Sequence, residues 1–339
     1  MKRMIKLMTV VTALSCLLPS CQRNGQPGKV PPVQGDYLGQ VVPGDTARLF
    51  APGIISTGMN DRDFAITPDG NEIFFCRDAG NFRYSVIFHT QRTDGVWSVP
   101  EVFEHCTNPR FKYIEPHLSV DGQKLYFIST MQADSALDAR EDIWVCEKTE
   151  GKWSAPVNLG APVNTPSREF YPSVTIDGTI YYSHLDTIAG EEFIYRSRLK
   201  DGVYQQPEKL PGNVNTGRAR YNPFVAADES YIIIPAYGMP DSFGATDYYI
   251  SFRDSLDNWS QPINMGPQIN SANPREWSAS VTTDGKYIFF MSDRPGGGIT
   301  GQLSRESMQE FHNTPQNGNT DVYWISSRLI EELRAKAIF

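Results

Sequence analysis

Polar and apolar residues alternate along this chain in short stretches, and one such stretch keeps returning. An extended alternating run leads into Asp-Gly, and a β-rich apolar run follows. Its copies are Phe64-Ala-Ile-Thr-Pro-Asp69-Gly70-Asn-Glu-Ile-Phe-Phe75, Pro116-His-Leu-Ser-Val-Asp121-Gly122-Gln-Lys-Leu-Tyr-Phe127 and Pro172-Ser-Val-Thr-Ile-Asp177-Gly178-Thr-Ile-Tyr-Tyr182. Two more are Pro223-Phe-Val-Ala-Ala-Asp228-Glu229-Ser-Tyr-Ile-Ile233 and Ala279-Ser-Val-Thr-Thr-Asp284-Gly285-Lys-Tyr-Ile-Phe-Phe290. The turn aspartates lie 52, 56, 51 and 56 residues apart. A period of about 50 residues built of short strands is that of a β-propeller blade. Asp-Gly makes the tight turn, because glycine accepts a positive φ and aspartate bonds its own backbone. The fourth copy has Glu229 in place of glycine, so its turn is expected to differ.

Each copy continues with a third alternating strand, at 84–92, 143–149, 193–199, 248–253 and 322–326. An outer strand follows, marked by an aromatic and a proline: Trp97-Ser-Val-Pro100, Trp153-Ser-Ala-Pro156, Tyr204-Gln-Gln-Pro207 and Trp259-Ser-Gln-Pro262. Proline is admitted there because an edge strand has one unpaired side. The fifth copy lacks this strand and runs instead into a short helical pattern at 328–336. Residues 48–52, near the other end of the chain, are expected to supply the missing strand and close the ring. The expectation is an all-β propeller of about five four-stranded blades over 45–339, closed by an N-terminal strand and ending in a short helix.

The first residues read as an export signal. Residues 1–6 carry Lys2, Arg3 and Lys6, and 7–18 is an apolar run too short for the roughly 20 residues that cross a bilayer. Leu18-Pro19-Ser20-Cys21 resembles a bacterial lipobox, which implies a signal peptide over 1–20 and a diacylglycerol on Cys21. Ala13-Leu14-Ser15-Cys16 is a rival that would cut into the apolar run, and an ordinary secretory signal is the plain alternative. Residues 22–44, rich in Gly, Pro and Gln, read with Cys21 as a flexible tether. The formal charge of −8 falls to about −11 once the signal's three cations leave, which argues against nucleic acid. Cys76, Cys106 and Cys146 then remain, an odd number without metal-ligand spacing; Cys76 and Cys146 sit in apolar strand patterns and read as buried hydrophobes.

The repeats resemble the WD40-like (PD40) repeats of TolB-type periplasmic propellers over about residues 45–327, most closely at 115–129. The stretch 289–297 is similar to a segment common in envelope proteins of Bacteroidetes-type bacteria, where Asp-[Ile/Val]-Tyr follows directly. Here Asp321-Val322-Tyr323 comes only after an insertion, 298–320, in which 304–311 has a helical pattern. The resemblance implies fold and compartment, a lipoprotein of the bacterial envelope. No acidic run follows Cys21, so the periplasmic face of the outer membrane is expected, with surface exposure the alternative. The expected partner is an envelope protein or peptide, with a glycan the alternative.

Candidate chemistry gathers just before the innermost strands, at Arg62, Asp63, Glu115, His117, Arg168, Glu169, Arg220, Arg275, Glu276 and Trp277. Charges and aromatics at a propeller mouth suit a peptide or a glycan. Equally, they suit salt bridges between blades. Asp63, Glu115, Glu169 and Glu276 also offer carboxylate pairs of the kind glycoside hydrolysis needs. There is no Gly-x-Ser-x-Gly elbow and no His-Glu-x-x-His, and no cofactor or metal is expected. The first reading is therefore a non-catalytic protein- or peptide-binding scaffold. The alternative is a carbohydrate-binding or glycan-cleaving protein using the axial pocket.

Overall fold

The computed structural model describes residues 32–131, 140–273 and 275–339. Cys21, the signal over 1–20 and most of the expected tether lie outside the described residues.

Five antiparallel sheets form the blades of a propeller. The innermost strands are Asn60–Ile66, Tyr113–Leu118, Glu169–Val174, the pair Ala219–Arg220 with Phe224–Val225, and Ala279–Val281. Each pairs with the strand beyond its aspartate turn, Glu72–Ala79, Lys124–Ser129, Ile180–Asp186, Tyr231–Tyr237 and Tyr287–Ser292. Third strands follow at Tyr84–Thr93, Asp142–Thr149, Glu191–Ser197, Thr246–Phe252 and Asp321–Ser326. The outer strands of blades 1 and 2 are each split into two pieces that flank the expected proline: Val96–Trp97 and Glu101–Val102 around Pro100, then Lys152–Trp153 and Val157–Asn158 around Pro156. Proline offers no N–H to the ladder, so pairing lapses there and resumes one residue later.

Blade 5 is completed by Arg48–Leu49, paired antiparallel with Asp321–Ser326. Chain start and chain end thus share one sheet, which ties the ring shut. Before the last strand, α1 (Arg305–His312) lies within the insertion, and α2 (Arg328–Arg334) follows blade 5. Ser304 caps α1 by accepting the N–H of Ser307.

Apolar residues fill the wedges between neighbouring blades. One cluster spans blades 1 to 3 with Phe74, Phe127 and Tyr182; another joins blades 4 and 5 through Tyr248 and Phe290 and takes in Ile330 and Leu333 of α2. At the seam between blades 5 and 1, Phe64 stacks on Phe289 at 3.9 Å, and Phe50 stands edge-on to Phe64, Phe289 and Trp324 at 5.0–5.1 Å. Cys76, Cys106 and Cys146 are buried free thiols.

Two expectations need correction. The tether does not reach residue 44. Val33–Gln34 adds a strand to Val96–Trp97, the Trp97 indole donates to the Gly35 carbonyl, and Leu38 is 2% exposed in the seam cluster. Leu38, Tyr37 and Val33 are apolar residues in a polar stretch, and they pack into the seam cluster between blades 5 and 1. The Glu229 turn, expected to differ, does not. Glu229 adopts φ 58°, its N–H reaches the Ala226 carbonyl, and the glycine of each other copy makes the same bond. Its carboxylate accepts from the Tyr181 hydroxyl at 2.7 Å and from Arg253 at 2.8 Å. Those bonds offset the roughly 1–2 kcal/mol that a side chain costs in the left-handed region.

Candidate functional site

Two ends of the propeller differ in kind. Loops between blades open on one face, which carries the insertion; the aspartate turns and α2 ring the other.

On the loop face, each innermost strand starts from a segment that must be fixed before the strand can pair. Three copies use the same clasp. Asp61 accepts from the Thr57 N–H and hydroxyl at 2.8 and 2.6 Å, Glu169 from Thr165 at 3.0 and 2.6 Å, and Glu276 from Ser271 at 3.2 and 2.6 Å. A cation or imidazole on the neighbouring strand completes each: Arg77 at 2.5 Å, His184 at 2.8 Å and Arg294 at 3.4 Å. Glu169 and Glu276 are thus occupied within their own blades. Burial, against the pull of Ser271 and Arg294, still raises Glu276 to about 7.

Three arginines of this face are also engaged. Arg168 reaches Glu141 of blade 2 at 2.6 Å, and Arg220 is buried on the Phe193 ring with Glu191 of blade 3 at 3.1 Å. Arg275 lies 3.9 Å from Asp293 and over Trp277. Arg168 and Arg220 are therefore bridges between blades.

Deeper on the axis, Arg62, Asp63 and Glu115 come together. One nitrogen of Arg62 touches Asp63 and lies 3.8 Å from Glu115, while Nε bonds Asp78 at 2.8 Å. Glu115 also accepts the Tyr171 N–H at 2.7 Å. Burial first, then the charge of Asp63, push Glu115 up to about 8; burial likewise raises Asp63, with Arg62 opposing. Three carboxylates around one guanidinium cannot all stay charged in a dry interior, so the cluster holds a proton.

Why these side chains point inward was not apparent from the sequence. Asp63, Glu115, Tyr171 and Asn222 each stand six residues before their turn aspartate, and all four take φ between 48° and 59°. In blades 1 to 3 the ladder slips at that point, a bulge that turns one side chain toward the axis. Ser278 holds the same offset in blade 5 and, with Asp63 and Tyr171, faces a small axial void with no room for a water molecule. Tyr171, Asn222 and Ser278 were not singled out in advance. A fixed offset occupied by a different polar residue in each copy was the available signal.

His117 sits apart from all of these. It lies toward the turn face, on the wall of a hollow of about 590 Å³. Leu118, Val174, Phe224 and Val281 form its apolar floor, and Asp228, Asp284, Arg328, Glu331 and Arg334 stand around it, α2 making one side. Among the described residues no three His, Cys, Asp or Glu side chains are placed to hold a metal ion, and no helix is long and apolar enough to cross a membrane.

No family model and no curated protein matches the chain. Among solved structures it is similar to a TolB-like protein of Agrobacterium tumefaciens, at 12% identity and TM-score 0.45, covering 79% of this chain and 90% of that one. A protein of unknown function from Dyadobacter fermentans gives 12%, 0.48, 74% and 80% in the same order. A family-43 glycoside hydrolase of Bacillus licheniformis gives 13%, 0.46, 84% and 57%.

Proposed function

We propose that this chain is a non-catalytic binding protein of the bacterial envelope. It is anchored through a lipid on Cys21 at the periplasmic face of the outer membrane, and its propeller is a rigid platform for a protein or peptide partner. The observation that carries this reading is the contrast between the two faces. Arg168, Glu169, Arg220 and Glu276 of the loop face are held by partners within the ring, while the turn face keeps a hollow with an apolar floor and a charged rim. A concave apolar surface with a few polar groups is what a binding site requires.

One observation favours a second reading, a glycan-cleaving protein. Asp63 and Glu115 converge, and a carboxyl held protonated near neutrality is what a general acid needs. Against it, Arg62 stands between the two acids, where the sugar and the attacking water belong.

A peptide array and a panel of chromogenic aryl glycosides, offered to the chain from residue 21 onward, separate the readings. Peptide retention without glycoside turnover is expected. Turnover that Glu115→Gln abolishes would overturn the binding reading in favour of the second.

A further inference from the structure

We infer that His117 is the hydrogen-bond donor that fixes the ligand of the turn-face hollow, and that this ligand is an apolar peptide segment with a basic flank, held through a backbone carbonyl. This rests on the reading of the hollow as the partner site.

The tautomer follows from one contact. Nε2 of His117 accepts the N–H of Val174, on the next blade, at 2.9 Å. An imidazole that accepts on Nε2 carries its proton on Nδ1. Nδ1 makes no hydrogen bond among the described residues, and His117 lines both the hollow and its narrow extension toward blade 1. Burial holds the ring neutral, its pKa lowered to about 4. The floor therefore presents one uncharged donor, set among Leu118, Val174, Phe224 and Val281.

The charges around it select the class of ligand. Three carboxylates face the hollow against two arginines. Asp284 is paired with Lys286 at 2.8 Å, Glu331 with Arg334 at 3.3 Å, and Asp228 accepts the Ser230 N–H at 3.0 Å. Arg328 is 4.0 Å from Asp45. The excess is negative, and a neutral imidazole brings no charge to hold an anion, so fatty acids and phosphates are disfavoured. A sugar would leave its many hydroxyls against an aliphatic floor. A peptide satisfies every feature: apolar side chains on the floor, one carbonyl on Nδ1–H, and a lysine or arginine toward the acids.

The probes are acetylated, amidated hexapeptides of Leu, Val and Phe with one Lys, and the same set with Asp in its place. The chain from residue 21 should bind the Lys series at least about tenfold more tightly. A scan of single backbone esters, which weaken one carbonyl as acceptor, should find one position costing about threefold to tenfold. That penalty should vanish in His117→Phe and in His117→Met, which has no donor and whose thioether can still accept weakly from Val174 if the phenylalanine variant folds poorly. An ester profile unchanged by either variant overturns the role of His117, and equal binding of the Asp series overturns the ligand class. Val281→Trp fills the hollow and tests the underlying reading. Binding that survives it sinks the hollow as the site; binding lost there yet indifferent to His117 sinks this inference alone. If no hexapeptide is retained, both fall.

Discussion

Asp321 gives the sharpest physical test of this architecture. It opens the third strand of blade 5 and is 1% exposed. Oδ2 accepts the Gln316 N–H at 2.6 Å, and Oδ1 has no hydrogen-bond partner among the described residues. The corresponding aspartates of blades 2 and 4, Asp142 and Asp247, each accept from an outer-strand asparagine, Asn158 or Asn264, at 2.8 Å. In blade 5 the outer strand comes from the start of the chain, and it sets Leu49 opposite Tyr323, where Asn158 faces Trp144 and Asn264 faces Tyr249. Burial, with the charge of Asp61 nearby, then raises Asp321 from 3.8 to about 7. The folded state thus binds this proton more tightly than the unfolded chain does. The contribution of Asp321 to stability is greatest below about pH 4, falls as pH rises toward 7 and is flat above, by about 4 kcal/mol in all. Asp321→Asn keeps the acceptor for Gln316 and removes the charge, but it leaves an amide N–H unpaired at a cost of about 1–3 kcal/mol. Relative to the parent protein the variant should gain about 2–3 kcal/mol between pH 5 and pH 8, and be the more stable by about 1–3 kcal/mol at pH 8. Urea unfolding followed by tryptophan fluorescence at pH 5, 6.5 and 8 measures the difference; Glu115 and Glu276 titrate in both proteins and cancel. A difference that stays constant with pH would refute the reasoning. Leu49→Asn supplies the missing donor and should move the break in the stability profile to lower pH.

Three other perturbations follow from the same packing. Arg62→Met leaves Asp63, Asp78 and Glu115 buried without their cation and should cost at least about 3 kcal/mol, read as a fall in the urea midpoint and partly recovered by adding Asp63→Asn. Glu229→Gly relieves a left-handed backbone yet strips Tyr181 and Arg253 of their shared acceptor; a net loss of about 1–3 kcal/mol in thermal melts is expected, and a gain would show that strain dominates. Leu38→Ala empties the seam wedge and should cost about 2–4 kcal/mol by urea titration, whereas a substitution in a true tether would cost nothing.

Fold and site were not equally legible in the sequence. The blades were readable because each rests on local chemistry: an aspartate turn, an alternating strand, a proline at the edge. Even the closing strand could be found, since a repeat with one piece missing asks where that piece went. Leu38 escaped notice because its burial depends on a wedge between the first and last blades, which no local pattern announces. Arg62, Asp63 and Glu115 were legible as candidates, but the way they meet, and their neighbours Tyr171, Asn222 and Ser278, were not. A strand that alternates strictly sends Asp63 and Glu115 by parity alone, whereas the bulge at that residue changes the parity and gathers side chains from different blades on one axis. The wedge is a product of ring closure and becomes visible only once the fifth sheet meets the first, whereas the bulge recurs within blades 1 to 3 at a fixed offset from each turn aspartate. The same logic separates the two faces. Repetition drives every copy to solve the same problem at its loop end, and Asp61, Glu169 and Glu276 are three nearly identical solutions. The hollow breaks the repeat instead, walled on one side by an α2 that no other blade possesses, and a departure of that kind is where selection for a particular ligand can act without unmaking the ring.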